Sequence, residues 1–130
     1  MISRYSVLVD SSIWISWFKN GEHPKLDILI QENLVCTNEI ILTELLPVLK
    51  KQGENEIIDS LLSFPRIPDK IDWDIIREYQ NTNLTSGINK VGIPDLMILH
   101  QVISQRITLF STDNHFKLMN KLYRFDLMSD

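Results

Sequence analysis

The chain is poor in several things, and each shortage excludes something. It has one cysteine in 130 residues, so no internal disulfide can stabilise it. That residue, Cys36, sits in the apolar run "LVCT" and reads as a buried, unreactive thiol. No apolar stretch approaches the roughly 20 residues that cross a bilayer, so no membrane association is expected. The apolar run in "MISRYSVLVD" is too short for the core of a signal peptide. An unprocessed, cytoplasmic protein is therefore expected. Basic residues are also in deficit, 13 Lys and Arg against 17 Asp and Glu, for a net charge of −4. This argues against a nucleic-acid binder built on a broad basic face. It leaves room for a protein that gathers acids at one place. Repeats, low-complexity segments and linkers are lacking too, so one domain over residues 1–130 is expected.

What is present is alternation. Short apolar runs at 5–9, 34–37 and 107–112 read as buried strands, and "YRFDLM" (123–128) as a last edge strand. Helical spacing is expected over 13–18, 21–33, 38–52, 55–64, 72–84 (with Trp73, Ile76 and Tyr79 inward), 94–105 and from 113 onward. Pro47 interrupts the run 38–52 and predicts a kink, or one helix ending and another starting. This order predicts an α/β fold, three layers of α/β/α around a mostly parallel sheet. In such folds ligands bind beyond the carboxyl ends of the strands.

Acids stand at those ends. Asp10 closes "SVLVD" and Asp113 closes "ITLFSTD", each before a helix. Asp95 follows Pro94 in a first helical turn, and Glu44 lies one to two turns into the helix after "LVCT". A single acid in a first turn is adequately explained by capping and the helix dipole, at roughly 0.5–2 kcal/mol. Four acids converging on one sheet edge are not, because their repulsion is costly unless protons or a cation neutralise it. An all-oxygen set suits Mg²⁺ or Mn²⁺. His23, His100 and His115 show no ligand spacing and read as surface or core residues.

The stretches "VLVDSSIWI", "LTELL", "GIPDLMIL" and "LFSTDNHF" resemble, in order and context, the PIN-domain ribonucleases. The likeness is greatest to the VapC-type toxins of toxin–antitoxin pairs. It spans about residues 5–126. It implies a PIN-like sandwich, a Mg²⁺- or Mn²⁺-dependent endoribonuclease acting on cellular RNA, and a homodimer inhibited by a cognate antitoxin. By motif, Asp10, Glu44, Asp95 and Asp113 fall on the family's acidic quartet. Asp10, Asp95 and Asp113 are then the metal ligands, and Glu44 a ligand or the base that orients water. Ser12 and Thr112 would hold carboxylates by hydrogen bonds, with Asn114 a further candidate. Lys90 is the basic residue nearest Asp95.

RNA contact would fall to Lys19, Lys50, Lys51, Lys90 and Arg106, each otherwise a solvated surface charge. Trp14, Trp17 and Phe18 share one broad helical face, which suits either the core or a partner surface. Two phosphotransfer classes fit poorly. A receiver domain needs an acidic pair where Asp10–Ser11 stands, and a dehalogenase-type phosphatase needs an acid at Ser12. The remaining alternative is a PIN-like module that binds RNA or protein without cutting.

Overall fold

The computed structural model describes residues 6–129. Its elements run β1 (Val7–Val9), α1 (Ser11–Asn20), α2 (Pro24–Gln31), β2 (Val35–Cys36), α3 (Glu39–Lys51), α4 (Asn55–Ser63), α5 (Trp73–Thr85), α6 (Ile93–Gln105), β3 (Thr108–Phe110), α7 (Asn114–Tyr123) and β4 (Asp126–Met128). The four strands form one sheet in the order β2-β1-β3-β4, with every pairing parallel. Residue 5, expected in the first strand, lies outside the described residues.

Side chains alternate between the two faces of a strand. In β1, Val7, Leu8 and Val9 are nevertheless all buried, so helices cover both faces. The fold is therefore an α/β/α sandwich. The β2 edge is capped by the segment around Arg66, which bridges Thr37 in parallel. β4 forms the opposite edge, as the last apolar run suggested.

Two local expectations change. α3 continues as one helix from Glu39 to Lys51 with Pro47 inside it; its other turns pack Ile41, Leu42, Leu45 and Leu49 into the core. Burial of that face outweighs the amide bond that proline removes. Trp73, read as inward-facing, is exposed at the first position of α5, while Ile76 is buried. Asp72 caps this helix by accepting from the Asp74 and Ile75 amides, so the turn starts one residue before the apolar face does. Cys36 is buried, and burial pushes its thiol up to about 12, which makes it inert at neutral pH.

This topology decides where a site can form. The chain leaves β1 toward β2 and leaves β3 toward β4, in opposite directions across the sheet. The crevice of a doubly wound sheet opens at such a divergence, beyond the carboxyl ends of the two strands. Here those ends are Asp10 and Ser111. The ladder carries on to them: the Asp10 amide donates to Phe110 O (2.9 Å) and the Ser111 amide to Met128 O (3.1 Å).

Candidate metal centre

Asp10 is buried at the divergence and occupies the cap position of α1, yet its carboxylate makes no capping hydrogen bond. Instead its Oδ2 accepts from Ser12 Oγ (2.9 Å) and from Ser111 Oγ (2.8 Å). Each hydroxyl is oriented by a main-chain donor. The Thr112 amide donates to Ser12 Oγ (3.2 Å) and the Asp113 amide to Ser111 Oγ (3.0 Å). Two amides of the β3–α7 turn thus act through two hydroxyls on one carboxylate oxygen. Oδ1 keeps no protein hydrogen bond among the described residues, so it is available to a ligand. Capping, sufficient for a lone acid, does not account for Asp10.

Asp113 combines both roles. Its Oδ1 accepts from the His115 amide (2.9 Å) and caps α7, which leaves Oδ2 uncommitted. Asp95 lies in the first turn of α6, whose cap position is Gly92, and its carboxylate makes no capping bond. Glu44 projects from α3, with Oε2 accepting from Ser11 Oγ (2.9 Å).

The acids feel one another. The Asp95 carboxyl is raised from 3.8 to about 6, first by burial and then by the charges of Asp113 and Asp10; His115 lowers it, and Glu44 adds a smaller rise. Glu44 is raised too, mainly by burial, against the Ser11 hydrogen bond and with smaller contributions from Asp10 and Asp113. All four predicted acids therefore lie near enough at one sheet edge to feel one another's charge, with His115 offsetting part of it at Asp95.

The donor set fits a divalent cation. Ligand atoms of Asp95, Asp113 and His115 lie within 4.8 Å of one another. Two ligands of an ion about 2.1 Å from each are at most about 4.2 Å apart. The His115 Nδ1 separations, 3.8 Å to Asp95 Oδ2 and 3.9 Å to Asp113 Oδ1, come inside that bound.

Three participants were not legible as such. The hydroxyl that reaches Asp10 from the last turn belongs to Ser111, which is fully buried. Thr112 is exposed and contributes its amide. Strand alternation continued past Phe110 points Ser111 and Asp113 the same way and Thr112 the other; that was the available signal. Ser11, which holds Glu44, had none. His115, read as surface or core, sits two residues after Asp113, and only the first turn of α7 brings its ring back to the acids. Asn114 is an exposed first residue of α7. Lys90 is exposed in the loop before α6, in the left-handed region at φ 64°.

The Ser111 relay is open to test. Ser111→Ala is expected to weaken divalent-ion affinity about 10–100-fold, as loss of a partner that orients a ligand does. Thr112→Val, which keeps the amide, is expected to change it less than about threefold. Calorimetric Mn²⁺ titration of both variants decides; equal losses would remove Ser111 from the site.

The family model for the PIN domain matches residues 7–122. Among solved structures, DNA-bound VapBC from Salmonella typhimurium is similar at TM-score 0.76 and 14% identity, covering 96% of this chain and 98% of that one. VapBC2 from Rickettsia felis, bound to a DNA fragment from its promoter, is similar at 0.75 and 18%, covering 95% and 98%. VapBC-1 from nontypeable Haemophilus influenzae is similar at 0.71 and 17%, covering 95% and 96%. These likenesses bear on the fold. No curated protein sequence matches the chain significantly.

Proposed function

Since the chain belongs to the PIN-domain family, a family of nucleases, we propose that it is a VapC-type toxin, an endoribonuclease that cuts cellular RNA with Mg²⁺ or Mn²⁺. The observation that carries this reading is the gathering of Asp10, Glu44, Asp95 and Asp113 at the divergence of β1 and β3, close enough that their charges raise one another's pKa values.

Asp10 Oδ1 and the carboxylates of Asp95 and Asp113 would hold the ion. A divalent cation bound there supplies an activated water and neutralises charge that builds on the phosphate. Glu44 would serve as the base beside the ion through Oε1, since Oε2 is held by Ser11. Ser12, with the Thr112 amide behind it, keeps the Asp10 carboxylate from rotating. The net charge of −4 is no larger than these four acids supply. With them neutralised, exposed Lys19, Lys50, Lys51, Lys90 and Arg106 can meet RNA phosphates without a general opposing field.

Toxins of this kind act in the cytoplasm, as homodimers restrained by a cognate antitoxin, and we extend those properties to this chain. Support comes from the three similar structures, which are VapBC assemblies, and among the described residues no helix is long and apolar enough to cross a membrane. The test is cleavage of total cellular RNA with Mn²⁺ or Mg²⁺, with EDTA, and with Asp10→Asn. Discrete cuts that vanish with EDTA and in the variant are expected. Identical patterns from wild type and Asp10→Asn would overturn the reading and favour a binding module without nuclease activity.

A further inference from the structure

Among the described residues, His115 brings the one side-chain nitrogen into a cluster otherwise built of carboxylate oxygen. Its position is not accidental to the turn. Asp113 caps α7 through the His115 amide (2.9 Å), and this fixes the backbone of residue 115 against the very carboxylate its ring faces. The ring then presents Nδ1 between Asp95 Oδ2 at 3.8 Å and Asp113 Oδ1 at 3.9 Å. Both separations are too long for hydrogen bonds. Both are short enough to share one ion without backbone movement. The ring is one-third exposed, so Nδ1 is open to an ion arriving from solvent. Neither of the other two histidines belongs to this cluster.

Resting on the nuclease reading above, we infer that His115 Nδ1 is a direct metal ligand and makes the centre prefer Mn²⁺ to Mg²⁺. Mg²⁺ takes oxygen ligands in near-ideal octahedral geometry and gives up its waters reluctantly. Imidazole favours first-row transition ions over Mg²⁺, and among them Mn²⁺ is the one that shares the Mg²⁺ preference for carboxylate and water. A centre of two carboxylates and one imidazole, completed by Asp10, therefore discriminates between ions that an all-carboxylate centre treats more alike. The neutral ring is required for ligation, with its second nitrogen carrying the proton toward solvent.

The experiment uses the purified full-length protein and has a readout independent of cleavage. Mn²⁺ is added and the bound ion is examined by electron spin echo envelope modulation, which detects directly coordinated ¹⁴N. Mn²⁺ and Mg²⁺ affinities are measured by calorimetry in parallel. Wild type is expected to show ¹⁴N modulation and to bind Mn²⁺ at least about tenfold more tightly than Mg²⁺. His115→Ala is expected to lose the modulation and most of that preference, with Mg²⁺ affinity changed less than about threefold. His115→Gln, which keeps a polar side chain in the first turn, repeats the measurement should the alanine variant not fold. Bound Mn²⁺ without ¹⁴N modulation, or an unchanged preference in the variant, would overturn the role of His115 and leave the nuclease reading standing. Failure of wild type to bind either ion would overturn both. Loss of binding in Asp95→Asn confirms that the ion observed is the one at this centre.

Discussion

Asp95→Asn is expected to abolish metal-dependent RNA cleavage, by more than about 100-fold, and at the same time to make the metal-free protein more stable at pH 7.5. The two effects have one cause. Burial and the neighbouring acids hold the Asp95 carboxyl at about 6 instead of 3.8. A carboxyl whose pKa is raised on folding favours the folded state below the unfolded value. That contribution is lost as the pH climbs from 3.8 through about 6. At pH 7.5 the ionised group therefore opposes folding, by up to about 3 kcal/mol. Asparagine fills the same volume without the charge. The expected result is a melting temperature several degrees above wild type at pH 7.5 without metal. The difference should shrink to about a third at pH 4.5, where the carboxyl is protonated in the folded state but still largely ionised in the unfolded one, and vanish below 3.8.

Divalent ions should reverse the order, raising the wild-type melting temperature and leaving the variant nearly unmoved. Protons and metal compete for the same oxygens, so cleavage by wild type should climb with pH through about 6. Differential scanning calorimetry at the two pH values, with and without Mn²⁺, tests all of this. A variant less stable than wild type at pH 7.5 would mean that Asp95 is a structural acid.

The acidic quartet was readable because it depends on features that sequence carries directly: apolar runs that end on acids, and helices that begin beside them. Parallel pairing then forces those ends to one edge, whatever the loops do. The hydroxyls were harder, since the choice between Ser111 and Thr112 turns on one residue of strand phase in a chain that is leaving its strand. Ser11 and His115 depend on side-chain direction within a first helical turn, where neighbouring positions differ by about 100°. Local pattern does not resolve that. Pro47 shows the converse. Of the two outcomes it signalled, a kink or a new helix start, the new start does not occur: one helix continues through it, with four buried residues distributed on both sides.

The aromatic face of α1 illustrates the same limit, and it carries the largest stability effect expected in the molecule. One reading placed Trp14, Trp17 and Phe18 together, in the core or on a partner surface. The structure divides them. Trp14 is buried, with ring centroids 5.8 Å from Phe64, 5.9 Å from Trp17 and 6.3 Å from Phe18. Trp17 is half-buried and donates its Nε1–H to Asp27 Oδ1 at 3.1 Å. Phe18 is half-buried and, with Ile15, Val48 and the stem of Lys19, lines a shallow groove beside Glu44.

Trp14→Ala is therefore expected to cost about 3–5 kcal/mol, a large part of the roughly 5–15 kcal/mol that holds a domain of this size. Trp17→Ala is expected to cost about 1 kcal/mol, since its hydrogen bond is solvent-exposed. The Trp14 indole N–H finds no protein acceptor among the described residues, so Trp14→Phe forfeits volume and no hydrogen bond. It should recover most of the loss. Because α1 carries Asp10 at its cap and Ser11 and Ser12 in its first turn, Trp14→Ala should also reduce Mn²⁺ affinity, whereas Trp17→Ala should not. Urea unfolding of the three variants, with Mn²⁺ titration of each, checks both halves. If Trp17→Ala proved the costlier change, Trp14 would not be the residue that seats α1 on the core. The metal site would then owe its position to the sheet alone.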